Sequence, residues 1–221
     1  MYKTLFIIGN GFDLDLNLKT SYHDFLDSSY FRNKASIFSE YELKRLNGDI
    51  NIFSYLKYRE QINGWIDVET ELARLASRKI QDNFKPEKIF IPVSKREKQT
   101  FQQLRIALCD YLKSISYNKV NTDSYGLKIL KILNSAHSNS ELITFNYTDI
   151  NKLAPLIGDN IISIPVNYMH GSLESRQTAK DDTSIILGFQ DNIEIDDSYC
   201  FMIKSHSPYY TSHNIKIRSS R

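Results

Sequence analysis

His170 closes the run Val166-Asn167-Tyr168-Met169 and is followed by Gly171. An imidazole exchanges a proton near neutral pH, so a histidine at a strand-to-turn position suits the activation of a hydroxyl or a water in ribosyl transfer. A packed, satisfied histidine is the commoner outcome at any single position. Asn146 lies in Thr144-Phe145-Asn146-Tyr147-Thr148-Asp149, directly after the apolar run Leu142-Ile143. That puts it near the carboxyl end of a strand, where open α/β sheets bind ligands. Its amide carries both donors and an acceptor and can fix a water or a ribose hydroxyl, although a lone Asn there is more often a turn or cap residue. Glu69 is a third candidate. At about 100° per residue it falls on the same helix face as Trp65, Leu72 and Ala76, with Asp67 on the opposite face. The alternatives are a boundary residue whose carboxylate snorkels to solvent for Glu69, and a solvated acid at a helix start for Asp67.

The other chemistry-bearing segment is the turn Gly9-Asn10-Gly11-Phe12-Asp13, which follows Leu5-Phe6-Ile7-Ile8. Two glycines after a strand allow a tight turn and let a phosphate approach main-chain N–H groups without a Cβ in the way. A full dinucleotide fingerprint would place a third glycine at position 14, which is Leu. Read as a simple tight turn, the segment makes Asp13 a helix N-cap. Read as a binding turn, it points Asn10 and Asp13 toward ribose or amide groups. Lys204-Ser205-His206-Ser207-Pro208-Tyr209-Tyr210 offers a cation, hydroxyls and aromatics, with Lys204 the expected phosphate contact. A polar loop of basic bias explains that segment equally well.

The elements that must position these residues follow from periodicity. Leu5–Ile8 is a short continuous apolar run, the pattern of a strand buried on both faces of a mainly parallel sheet. Residues 13–25 suit a helix or a broken helix, and residues 31–57 read as polar with scattered aromatics. A helix is predicted from Trp65 through Val68, Leu72, Leu75 and Ala76. Residues 85–98, KPEKIFIPVSKREK, read as a loop with two prolines and a basic cluster. Phe101, Leu104, Leu108, Tyr111, Leu112 and Ile115 share the face of a further helix, and another is predicted from Tyr125 to His137. Glu141–Phe145 reads as a strand, with short β-type runs at Ile161–Val166, Tyr168–His170, Ile185–Phe189 and Cys200–Ile203. Strand, helical middle, then strands predicts an α/β fold: a Rossmann-like, mainly parallel sheet in a single domain over residues 1–221, with a helical insertion at about 30–138.

Composition narrows the class. With 41% hydrophobic residues in 221, the chain can bury a core. Twenty-eight Lys plus Arg against 26 Asp plus Glu leave a net charge of +2, too balanced to imply nucleic acid or an anionic membrane. Residues 198–221 are locally basic, with four Lys or Arg and no Asp or Glu. Cys109 and Cys200 form no CxxC pair and sit in no Cys/His cluster at zinc spacing. The amino terminus reads as a strand rather than a signal peptide, and no apolar run reaches the roughly 18 to 20 residues of a spanning helix. A cytoplasmic protein without a membrane partner or a metal is expected, with a small nucleotide as its ligand.

Taken in order, FIIGNGFDLDLNLKTSYHDF, WIDVE, ITFNYTDI, NYMHG, ILGFQDN and KSHSPYY resemble the AbiH family of bacteriophage abortive-infection proteins over essentially the whole chain. Members of that family typically continue beyond the KSHSPYY segment. The first turn, the TFNY motif and the HG motif are also similar in kind and order to the sirtuin-like domains of antiviral defence systems, which cleave NAD+. That similarity implies an NAD+ glycohydrolase with Asn146 and His170 in catalytic roles. It implies Gly9, Asn10, Gly11 and Asp13 around the dinucleotide, with Phe12 completing the turn. It departs from that pattern in the Asn between the glycines and the bulky Phe12. Under it, Asn146 orients a water or ribose hydroxyl, His170 takes its proton, and Glu69 stabilises positive charge at the anomeric carbon. A phage-derived trigger or self-association is the further partner implied. The rival readings are a non-catalytic nucleotide sensor or interaction module and, more weakly, an RNA-directed nuclease toxin.

Overall fold

The computed structural model describes residues 4–35, 51–77, 95–136, 140–173, 185–190, 195 and 197–204. In chain order the described elements are β1 (Thr4–Ile8), α1 (Asn10–Asp15), α2 (Tyr22–Asp27), α3 (Ser29–Arg32), α4 (Ile52–Asn63), α5 (Val68–Ala76), α6 (Lys95–Ser114), α7 (Tyr125–Ser135), β2 (Ser140–Thr144) and β3 (Val166–Tyr168). Short 3-10 helices run over Tyr117–Lys119, Ile150–Ile157 and Asp197–Met202. Residue contacts group the chain into two compact units. The first comprises Met1–Ser21, Cys109–Ile185 and His213–Arg221, and the second Tyr22–Leu108 and Ile186–Ser212.

The first unit holds a parallel sheet of order β1-β2-β3. Its register sets Ile8, Thr144 and Tyr168 in one row at the carboxyl ends. The row is closed by the Phe145 N–H donating to the Ile8 carbonyl at 3.1 Å and the Met169 N–H donating to the Thr144 carbonyl at 2.9 Å. Parallel strands need crossovers. Here β1 reaches β2 through the whole helical middle of the chain, and β2 reaches β3 through the 3-10 helix Ile150–Ile157.

Side chains alternate along each strand, so one sheet face carries Phe6, Ile8, Leu142, Val166 and Tyr168. These pack with Leu16 and Leu18 after α1, with Leu127, Leu130 and Leu133 of α7, and with Ile150, Leu153 and Ile157. Each fully buried leucine contributes about 1.5 to 3 kcal/mol. The opposite face of β1 carries Leu5 and Ile7, which are 52% and 64% exposed. Among the described strands β1 lies at the edge of the sheet, and its expected burial on both faces does not hold.

α7 docks on α1 because Gly126 leaves room. A Cβ on Gly126 would lie 3.1 Å from two ring carbons of Phe12, and the Gly126 N–H donates to Asp15 at 2.6 Å. Ser124 caps the helix by accepting from the Leu127 N–H at 3.2 Å. The first turn lacks a glycine at position 14; the close helix approach instead uses a glycine on the opposing helix.

The described elements of the second unit are helices, together with the isolated bridge between Phe189 and Ile203. Phe31 packs on Phe25 and Phe53 with ring centroids 5.4 Å apart in each pair. Asn51 caps α4, which ends at Gly64 with φ of 69°. Asp67 caps α5 by accepting from the N–H groups of Glu69 and Thr70. Trp65 therefore precedes the helix and is exposed, which corrects the predicted helix start and its face. Glu71, buried on α5, accepts from Tyr55 at 2.9 Å, Arg59 at 2.9 Å and Arg74 at 2.7 Å. A buried carboxylate is tolerated when its lone pairs are filled in this way.

Other boundaries also move. α1 and α2 form the broken helix expected over 13–25, but α4 arises in a stretch read as polar and irregular. α6 begins at Lys95, inside the expected loop 85–98, whose residues 85–94 lie outside the described ones. Ile161–Pro165 is not strand, and β3 holds Val166–Tyr168. Residues 185–189 form only isolated bridges, Gly171 to Ile185 and Phe189 to Ile203, and Cys200–Met202 belongs to a 3-10 helix.

Candidate functional site

Gly9, Asn146 and His170 come from three separate segments, and the strand register brings their segments to one end of the sheet. Each lies one or two residues beyond the row Ile8, Thr144, Tyr168. Gly9 is extended and precedes α1 without a side-chain cap. A Cβ placed on Gly9 or Gly11 would meet nothing within 4 Å, and neither residue has positive φ. Among the described residues, packing thus gives no reason for glycine at either position, and the turn is exposed.

The extended segment Thr144–Thr148 splits by alternation. Thr144, Asn146 and Thr148 are buried, while Phe145 is exposed and Tyr147 half-buried. Asn146 is held by three bonds. Its backbone N–H donates to the Thr144 hydroxyl at 3.0 Å, and its side-chain Nδ2 donates to the Gly9 carbonyl at 2.9 Å and to Asp13 Oδ1 at 2.9 Å. Both neighbours of Nδ2 are acceptors, which fixes the amide orientation. Among the described residues, Asn146 Oδ1 receives no hydrogen bond.

Asp13 is buried and accepts from Asn146 and from the Thr148 hydroxyl. Burial raises its pKa above the ordinary carboxylate value, and the bonds from Thr148 and Asn146 oppose that rise. It is not the N-cap of α1, which is Gly9; buried, it joins the first turn to the segment after β2. Asn10 is exposed beside it, and Phe12 is turned toward Gly126 in the α1–α7 packing.

His170 sits in the turn after β3 with rings on either side of Asn146 in sequence. The Phe145 ring centroid is 5.7 Å away, edge-on, and that of Tyr147 is 5.9 Å away. Phe145 and Tyr147 are candidates that sequence reasoning passed over. The signal was present, since in an extended TFNYT the aromatic rings must share the face opposite Thr144, Asn146 and Thr148. Nearby, Tyr117 and Tyr168 accept from the N–H groups of Asp149 and Ile150 at 3.1 and 3.2 Å, anchoring the segment that leaves the site. Burial holds the Tyr117 phenol protonated by raising its pKa.

Glu69 and Lys204 belong to the second unit. The Lys204 ammonium donates to the Glu69 carboxylate at 2.7 Å. Burial raises the Glu69 pKa, and the ammonium opposes that rise. Gly188 builds this arrangement. Its φ is 148°, and a Cβ there would stand 2.1 Å from the Met202 carbonyl oxygen. That close approach lets Phe189 exchange backbone bonds with Met202 and Lys204 at 3.1 and 2.9 Å. His206, Tyr209 and Tyr210 lie outside the described residues.

At the carboxyl edge of the parallel sheet in the first unit, Asn146 lies against the Gly9 turn on one face of the segment Thr144–Thr148, and His170 lies against Phe145 and Tyr147 on the other. The chain belongs to the bacteriophage abortive infection AbiH family, whose family model matches residues 5–219. No curated protein and no solved structure is matched by the chain. Among the described residues, no helix is long and apolar enough to cross a membrane.

Proposed function

We propose that this AbiH protein acts in abortive infection by hydrolysing NAD+ at its nicotinamide–ribose bond, with the strand-end site as its active centre and the parallel sheet as part of a Rossmann-like nucleotide fold. The observation that carries the reading is the locked amide of Asn146. With Nδ2 committed to Gly9 and Asp13, Oδ1 can accept a hydrogen from a water or a ribose hydroxyl and so aim its oxygen.

In the reaction the bond between ribose C1′ and the nicotinamide nitrogen breaks, and its electron pair returns to the ring nitrogen, neutralising the pyridinium. The water oxygen bonds to C1′, and its proton is relayed through solvent water to His170. The products are nicotinamide, ADP-ribose and a proton. Phe145 and Tyr147 offer ring faces and edges against which a planar nicotinamide can pack. The exposed turn at Gly9 and Gly11 suits a pyrophosphate approaching main-chain N–H groups. Glu69 and Lys204 neutralise each other, so the chemistry is assigned to Asn146 and His170 and not to that pair.

A second reading has one observation in its favour. The bonds that hold Asn146 equally describe a rigid wall of a pocket that binds a nucleotide without turning it over. Incubating purified protein with NAD+ and following nicotinamide and ADP-ribose separates the two. Release that is lost in Asn146→Ala and His170→Ala supports hydrolysis, whereas NAD+ binding without release supports the sensor. Release that survives both substitutions removes these residues from the chemistry.

A further inference from the structure

α7 is apolar on two sides. Its inner face buries Leu127, Leu130 and Leu133 in the core of the first unit. Its outer face carries Tyr125, Ile129 and Ile132, spaced by four and three residues so that they form one stripe along the helix. These three side chains are 75%, 44% and 67% exposed. A helix lying on a core needs one apolar stripe, and its outward face is normally polar. The second stripe is unexplained by the fold of its unit.

Charge identifies what fits it. Lys128 and Lys131 are exposed beside the stripe, with the Lys128 ammonium 5.2 Å from the Tyr125 ring centroid. Tyr125–Ser135 contains no Asp or Glu. We propose that this face docks an amphipathic helix of a partner protein, with apolar side chains at three- and four-residue steps and acidic residues along the flank that meets Lys128 and Lys131. The proposal stands apart from the NAD+ reading, since none of these residues belongs to the strand-end site.

Two other occupants fit less well. A second copy paired antiparallel across Ile129 would bring Lys128 and Lys131 of both chains together, with no carboxylate on either helix to neutralise them. A membrane-lying helix inserts a broad apolar face, whereas here the stripe is one residue wide and the opposite face is already buried in protein.

The test uses the full chain and a fluorescein-labelled designed helical peptide with leucines at three- and four-residue steps flanked by glutamates. Fluorescence anisotropy is expected to show binding at micromolar peptide. Lys128→Glu with Lys131→Glu should weaken it by about tenfold or more, and Ile132→Glu should abolish it, with circular dichroism unchanged in both. The same peptide carrying lysines in place of glutamates should bind the charge-reversed protein better than the original. Absence of binding, or binding indifferent to these substitutions, overturns the proposal. So does a dimer in sedimentation velocity that Ile132→Glu dissolves, or pelleting with phosphatidylserine vesicles that depends on Ile132.

Discussion

The side-chain amide of Asn146 donates to the buried carboxylate of Asp13 at 2.9 Å, tying the segment after β2 to the turn after β1 across 133 positions of sequence. The same nitrogen reaches the Gly9 carbonyl, so one side chain closes the carboxyl edge of the sheet. Removing it has a cost separable from any effect on catalysis. Asn146→Ala leaves the Gly9 carbonyl and one Asp13 oxygen without this donor, and a loss of about 1 to 3 kcal/mol is expected. Urea unfolding of the variant measures it, and an unchanged midpoint would mean that the tie contributes nothing.

Gly11 separates a structural from a ligand-binding role. It lies within α1, is open to solvent, and has no positive φ to protect. Alanine in a helix is favoured over glycine by up to about 1 kcal/mol, so Gly11→Ala should leave stability unchanged or raised. If the turn receives a phosphate, the added methyl should weaken NAD+ binding measured by calorimetry. A variant that is destabilised, or that binds NAD+ as well as the original, contradicts this role.

The pKa of Asp13 gives a pH dependence of definite sign. Burial raises the folded value above the ordinary 3.8, so the folded state favours the protonated form. The stability this group contributes is present below 3.8 and is lost as pH rises through the folded value. Asp13→Asn removes the titration while keeping an oxygen to accept from Asn146. Unfolding midpoints measured from acid to neutral pH should show wild type losing stability relative to Asp13→Asn as pH rises, and a difference that is flat or grows the other way would be contrary. Asn146→Asp should sharpen the trend, since it sets two carboxylates against each other and is expected to be most damaging at neutral pH.

Gly188 is a steric requirement in the second unit. A Cβ at 2.1 Å from a backbone oxygen cannot be accommodated without moving the chain, and positive φ adds strain. Gly188→Ala should cost about 1 to 3 kcal/mol. It should also free Lys204 from Glu69, raising the rate at which an amine-reactive reagent labels Lys204. Unchanged stability and labelling would show that the bridge between Phe189 and Ile203 forms without the glycine.

What could be read from the sequence was governed by local pattern. Leu142-Ile143 and the apolar faces of α6 and α7 announced themselves through periodicity, and the ends of β1 and β2 were found to within a residue because apolar runs stop there, whereas β3, Val166–Tyr168, was split between two expected runs, Ile161–Val166 and Tyr168–His170. α4 escaped because its buried residues, Ile52, Phe53, Ser54, Tyr55, Leu56 and Glu60, mix polar with apolar types. Leu5 and Ile7 looked buried because an apolar run cannot reveal that its strand lies at the edge of the described sheet. The burial of Asp13 and Glu71 could not be read, since a buried acid depends on partners far away in sequence: Thr148 and Asn146 for one, Tyr55 and Arg59 for the other. The pairing of Lys204 with Glu69 is of the same kind, since the two residues lie 135 positions apart in sequence.

The central claim is that the strand-end site takes NAD+ with Asn146 at the ribose. A crystal structure of the protein soaked with ADP-ribose tests it most directly. The ribose hydroxyls are expected beside Asn146 Oδ1, with the pyrophosphate over Gly9 and Gly11. ADP-ribose bound elsewhere, or an unoccupied strand edge at saturating ligand, would contradict it.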